Sequence, residues 1–337
     1  MNATPSTRRF IRRGAITSVL AMLFVTLGGA AYQGWSAHVD RRAAPAPGRF
    51  IEVSGRHVHI YCTGSGAPTV VLQAGATGFA QTWAWVQAWL SESTRVCSYD
   101  RAGLGWSEEP PASAHDAVSI ARDMRTLLAD AGERGPFILI GHSLGGSLIQ
   151  AYAGLYPDDV VALGMVDPSH PDQLDRFGPD IRRQQERFQS MIRVASGLAH
   201  VGVVRALNPL GRFASGLPED DYRAARMFAS SPRHLRNSHA EMSQWDSTMA
   251  AARRVSSLGD RPLLVLSAGQ NMEGMPEGFL DLNYEMHAEL AALSGRGKHV
   301  RVEDADHYSI LMDSAHAAAT SALLLELIDE ARQSPIR

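Results

Sequence analysis

An α/β fold built on a mostly parallel sheet is what this sequence predicts, on three observations. From residue 49 onward, short β-branched apolar runs alternate with amphipathic helical stretches. Eight such runs can be counted, which implies an eight-stranded sheet with helices on both faces. One segment, about 168–260, breaks the alternation and is rich in Arg, Gln, Met and Ala. It reads as several helices inserted between two strands, a cap over the carboxyl edge where open α/β sheets bind ligands.

The strands and helices follow in order. Residues 49–53 and 57–61 form a strand pair turned at Ser54-Gly55. Residues 69–73 are a buried strand ending in Ala74-Gly75, and 94–99 are the next. Between them, 81–90 carry Trp83, Trp85, Val86, Trp89 and Leu90 at helical spacing, as core and cleft wall. Residues 114–131 place Val118, Ala121, Met124, Leu127 and Leu128 on one helical face. A strand at 137–141 leads into a helix at 145–156, and strands at 160–166, 261–267 and 298–302 complete the set. Helices at 280–293 and 315–331 fill the end.

The N-terminus is of another kind. Arg8, Arg9, Arg12 and Arg13 precede an uncharged, mostly apolar run from Gly14 to Ala31. As a helix that run rises roughly 27 Å, close to a bilayer's hydrocarbon thickness. Tyr32 and Trp35 follow, where interfacial aromatics belong. Residues 1–35 therefore read as a signal anchor or transmembrane segment, since the run exceeds a usual signal-peptide core. The small pairs Gly28/Ala30 and Gly29/Ala31 keep a cleaved secretory signal as the alternative. In both readings the arginines stay in the cytoplasm and the remainder lies outside. Residues 36–48, charged and then Ala/Pro-rich, read as a linker, and 49–335 as one domain with its cap.

Composition narrows the partners. A 337-residue chain that is 45% hydrophobic and 20% charged buries a large core. Its net charge of −3, with no basic run in the body, gives no reason to expect nucleic acid. No metal-type CxxC pair and no GxxxxGK loop are present, so no metal ion or cofactor is implied.

The chemistry concentrates at Gly141-His142-Ser143-Leu144-Gly145. A G-x-S-x-G between strand and helix sets the serine on a strained turn, and its flanking glycines let strand and helix approach. Ser143 is the expected nucleophile. A serine hydroxyl needs a base, and His307 follows the last strand, completing the chain order Ser…Asp…His. His142 sits too close to the serine to fold back on it, and His299 lies within a strand. The acid, which orients and stabilises the imidazolium, is assigned to Asp167 at the end of 160–166. Glu273, in the loop 268–274, is the alternative acid. Asp304 and Asp306 shape the histidine's own loop, and Asp100 with its neighbouring glycines braces the floor of the site. Two oxyanion donors are required: the N–H of Leu144 and, in the loop Ala74-Gly-Ala-Thr-Gly78, that of Ala76.

Together, GHSLGG, YDRAGLGWS, VVLQAG and the late DADH resemble the α/β-hydrolase superfamily over about residues 49–335. The set is similar to its bacterial membrane-anchored, esterase- and lipase-like branch, which opens with an Arg-flanked apolar helix and a Pro-rich linker. The resemblance implies metal-free, two-step acyl transfer to water. It departs from the family at Ala74-Gly75, where many members have His-Gly, and at 268–274, which lack an aspartate. Met165-Val-Asp-Pro-Ser169 is similar to the turn of pancreatic-type lipases, which carry the acid one strand early and so support Asp167. The family strand order 1-2-4-3-5-6-7-8 also implies that Cys62 and Cys97, the only cysteines, lie near the ends of adjacent strands. An exported protein would join them as a disulfide; two small buried residues are the other reading.

The expected function is hydrolysis of small, apolar carboxylic esters under the cap. Acyl transfer, amide hydrolysis or C–C cleavage would use the same triad. Epoxide hydrolases and dehalogenases carry an aspartate at the elbow, so the serine disfavours them. A non-catalytic binding protein on this fold is the alternative of another class.

Overall fold

The computed structural model describes residues 5–110, 115–272 and 274–333. Its centre is one eight-stranded sheet: β1 (Arg49–Val53), β2 (Arg56–Thr63), β3 (Val70–Gln73), β4 (Val96–Tyr99), β5 (Phe137–His142), β6 (Val160–Val166), β7 (Leu263–Ala268) and β8 (Gly297–Val302). The order across the sheet is β1-β2-β4-β3-β5-β6-β7-β8. β1 and β2 are antiparallel, as are β2 and β4, and every later pair is parallel.

Alternation along the buried strands builds two cores, because successive side chains leave a strand on opposite faces. Val71, Leu139 and Val265 point to one face, under α3 (Ala117–Asp130), α4 (Leu144–Leu155) and α11 (Phe279–Ala291). Leu72, Ile140 and Leu266 point to the other, under α2 (Ala84–Ser91) and α13 (Ser314–Gln333). Each fully buried Leu or Ile contributes roughly 1.5–3 kcal/mol. Ahead of α2, Ala80–Trp83 form a 3-10 turn, so the stretch expected as one helix is two. Cys62 and Cys97 stand opposite each other in the β2–β4 ladder and are joined by a disulfide.

Between β6 and β7 the chain leaves the sheet to make the cap: α5 (Gln173–Arg176), α6 (Pro179–Ala199), α7 (Val203–Leu207), a 3-10 turn (Leu210–Ala214), α8 (Glu219–Phe228), α9 (Pro232–Met242) and α10 (Trp245–Arg253). The N-terminal helix α1 runs from Pro5 to Ala43. It corrects the expected linker at 36–48, which is helical through Ala43. Residues 36–43 hold neither Pro nor Gly, and Arg41 and Arg42 fall in the last turn, where cations favour the helix dipole. Arg205 of α7 also grips this segment, donating to Gln33 at 2.9 Å and pairing with Asp40. α1 is long and apolar enough to cross a membrane, and its apolar stretch is exposed.

Candidate active site

β5 delivers Ser143 to a sharp turn that opens α4. The serine stands at φ 54° and ψ −125°, a conformation unfavourable for any residue with a Cβ. Space dictates the glycines around it. A Cβ on Gly141 would strike the carbonyl of Gly145, and one on Gly145 would strike that of Gln73. Thr77 and Asp167 also have positive φ, at 60° and 40°. Three of the five described non-glycine residues with positive φ thus gather here, and strain of this kind marks functional sites.

His307 follows β8, in the loop before the short helix α12 (Ser309–Met312). Its Nδ1 lies 2.5 Å from Oδ2 of Asp167, which leaves the end of β6. The other carboxylate oxygen accepts the N–H of Ala268 at 2.9 Å. Burial opposes the aspartate's charge, but the His307 contact, nearby His287 and the Ala268 N–H outweigh it. They hold the carboxyl well below the usual carboxylate range. Glu273, the alternative acid, lies outside the described residues.

The neighbouring histidines are structural by their partners. Burial, then the charge of His307, pushes His142 down to about 3, so it is neutral. Its Nε2 donates to the backbone carbonyl of His307 at 2.8 Å, and the two rings sit 4.6 Å apart. His287 is pushed down to about 4 by burial, and its Nε2 donates to the carbonyl of Pro168 at 2.8 Å. Its Nδ1 must then accept, and the Ser267 hydroxyl donates to it at 2.6 Å. The same hydroxyl accepts from Nε2 of His299 at 2.6 Å. This chain of bonds backs Asp167, whose Oδ1 lies 4.0 Å from His287.

Ala76 and Leu144, the two expected oxyanion donors, pack in one apolar cluster over the elbow. Leu144 opens α4, so its N–H has no acceptor within the helix. The loop carrying Ala76 is held by Arg101, whose guanidinium donates to the carbonyls of Ala74 at 2.6 Å and Gly75 at 2.7 Å. Glu241 of the cap helix α9 takes the other edge of the fork at 2.6 and 2.8 Å, with both side chains buried. A second tie from α9 joins His234 Nε2 to the carbonyl of Thr77 at 3.0 Å. The loop carrying Ala76 is therefore tied to the cap through Glu241 and His234.

Asp100 braces the floor, accepting the N–H groups of Ala80 and Trp106 and facing His59 at 2.9 Å. Asp306 accepts from the N–H groups of Tyr308 and Ser309 at 2.8 Å, which fixes the turn after His307. Among the described residues, Cys62, Cys97 and Glu133 lie close enough to suggest metal ligands. The sulfurs are bonded to each other and Glu133 pairs with Arg95 at 2.8 Å, so the trio offers no free ligand set. Arg101, Glu241, His234 and His287 were not expected from the sequence. Arg101 adjoins Asp100, which did stand out, whereas Glu241 lies 140 residues away in the cap, with no local signal.

Sheet order, elbow and cap define the class: an α/β hydrolase. The profile of the alpha/beta hydrolase fold family matches residues 68–313, and the chain belongs to that family as a hydrolase. The protein YqjL of Bacillus subtilis is 23% identical over 253 residues, covering 75% of this chain and 81% of that one. Matches to the first three curated relatives span only 15–47% of those proteins' length. Two solved structures share the fold. One, designated a lipase, from Acinetobacter baumannii AYE, is 20% identical with a TM-score of 0.64, covering 89% of this chain and 97% of its own. The other, a bacterial membrane phospholipase A, is 18% identical with a TM-score of 0.58, covering 97% of this chain and 100% of its own.

Proposed function

We propose that the protein is a serine esterase that hydrolyses small apolar carboxylic esters, working outside the cytoplasmic membrane to which α1 anchors it. The contact of Asp167 with His307 carries this reading, with the residue before Asp167, Val166, accepting the N–H of the strained Ser143 at 3.1 Å. Nδ1 of His307 donates to Asp167, which leaves Nε2 as the acceptor for the Ser143 proton. Ser143 Oγ attacks the ester carbonyl, and the developing oxyanion takes the N–H groups of Ala76 and Leu144. His307 returns the proton to the departing alcohol. A water then attacks the acyl-enzyme with His307 as base, releasing the carboxylic acid and freeing Ser143.

Location rests on separate support. α1 is exposed along an apolar stretch of bilayer length, and the four arginines before it belong on the cytoplasmic side. The Cys62–Cys97 disulfide suits an oxidising compartment. A cleaved signal would release the body instead. Intact mass of the membrane-extracted protein distinguishes the two.

Full-length protein in detergent should turn over p-nitrophenyl butyrate and label with a fluorophosphonate probe. Ser143→Ala should lose both. Full turnover by Ser143→Ala would overturn the assignment of the nucleophile.

A further inference from the structure

The outer face of the cap carries an apolar surface left open to solvent. Met191, Val194 and Leu198 recur along α6 at three- and four-residue spacing, which puts them on one face. α7 adds Val203 and Leu207, and all five are 40–71% exposed. They border a groove of about 730 Å³ between the two helices. A contiguous apolar patch on a soluble surface marks a docking site. Toward the start of α6 the groove is flanked by Arg183 and Arg187, with Glu186 between them. An apolar stripe with arginines at its border is the pattern of a helix lying in a lipid interface.

Contact with α1 selects the occupant. The turn between α6 and α7 meets α1 at the end of the apolar run. Gly29 lies so close to the carbonyl of Val201 that a Cβ would collide with it. Gly202 lies against the ring of Tyr32, an aromatic placed where the span ends. Arg205 then holds Gln33 and Asp40, which fixes α7 against the same helix. The exposed apolar part of α1 thus gives way directly to the exposed apolar part of the cap. A bilayer that covers α1 up to Gly29 has its surface at the level of the α6–α7 turn. Beyond α7, half-exposed Phe213 packs its ring 5.1 Å from that of Tyr308, the residue after His307.

We propose that the α6–α7 face docks on the surface of the bilayer that holds α1. Val194, Leu198 and Leu207 enter the boundary between headgroups and acyl chains, and Arg183 and Arg187 face anionic headgroups. The cap then lies on the leaflet that supplies apolar acyl substrates. This rests on the membrane reading of α1 given above.

A site-specific label tests it, since the native cysteines are bonded to each other and an introduced thiol reacts alone. Val194→Cys, and Glu326→Cys at an exposed position of α13 as the reference, are labelled with bimane. Each full-length protein is reconstituted into vesicles of phosphatidylglycerol and phosphatidylethanolamine with brominated acyl chains. Docking predicts a blue shift and a roughly twofold loss of bimane emission at 194, with no change at 326. Protein that floats with the vesicles but keeps 194 in water overturns the docking and leaves the anchor standing. Self-cross-linking through Cys at 194, with no quenching, overturns it in favour of a second copy of the chain. Protein that does not float refutes the anchor and the docking together.

Discussion

Asp167 Oδ2 meets His307 Nδ1 at 2.5 Å although β7 lies between the strands from which the two residues emerge. The carboxylate reaches across because Asp167 stays tied to the end of β7. Its N–H donates to the carbonyl of Leu266 at 2.7 Å, and its Oδ1 accepts from Ala268 at 2.9 Å. On the proposed reading Asp167 is the acid, and none is needed on the loop after β7. Asp167→Asn should lower kcat/KM for a soluble ester by about four orders of magnitude, since an amide supports the wrong imidazole tautomer. Glu273→Gln should stay within a few fold of the parent. The reverse ranking would transfer the acid role to Glu273.

Arg101 and Glu241 are expected to set the oxyanion loop from beneath and from the cap. Glu241→Gln leaves a buried guanidinium without its counter-charge, which costs about 3–5 kcal/mol. The double variant Arg101→Met/Glu241→Met removes both charges and should recover most of that stability. It also frees the carbonyls of Ala74 and Gly75, so kcat should stay about tenfold or more below the parent with KM little changed. Thermal melts beside steady-state kinetics separate the two effects. A double variant with parental kcat would make the pair a matter of stability alone.

Local pattern explains why most of this was legible. The β-branched runs of the sheet and the G-x-S-x-G between strand and helix are short-range signals, and strands β1 and β6 fall on the residues the pattern marks. The places of Ser143, Asp167 and His307 at one edge were readable because each follows a strand and the sheet order brings their loops together. The supports were not. Glu241 reaches Arg101, and His287 backs Asp167, through contacts that depend on how helices pack, and no neighbouring residue announces them. The helical continuation to Ala43 was hidden by charge. Asp40 and Arg41 read as solvated linker, whereas Asp40 is paired across the fold with Arg205.

The disulfide closes a stretch with a sequence separation of 35 residues. A cross-link over such a loop stabilises by about 3–4 kcal/mol, chiefly by restricting the unfolded chain. Cys62→Ser/Cys97→Ser should lose that amount in a denaturant melt, and somewhat more because Cys97 is buried and a serine hydroxyl there lacks a partner. The denatured parent protein should gain two hydrogens in mass on reduction. Unchanged mass and unchanged stability would together contradict the bond.

Acid should weaken the fold through histidines held neutral. Burial pushes His142 down to about 3, and His234 and His287 down to about 4, from an ordinary 6.5. Above pH 6.5 the folded and unfolded forms are both neutral, and these groups contribute nothing to the pH dependence. As the pH falls below that value the unfolded imidazoles bind protons that the folded ones refuse, so stability drops toward the folded values. At pH 5 each of the three costs on the order of 2 kcal/mol. Three groups act in the opposite sense, the first being Asp123, which burial pushes up. Burial opposes the charge on His59, but Asp100 outweighs it and raises the pKa, so its stabilisation is full in acid and lost as pH rises. Asp221, pushed up to about 6 by burial and then by Asp220, gains stability as it protonates in the folded state. His115, His170 and His299, also lowered by burial, act with the first three, so six lowered histidines against three raised groups predict a melting temperature that falls from about pH 6.5 to pH 5. His234→Gln keeps a donor for the carbonyl of Thr77 without a titrating ring, so its melting temperature should fall less steeply over the same range. A parent curve flat across that range would show that the buried histidines are already charged in the folded protein.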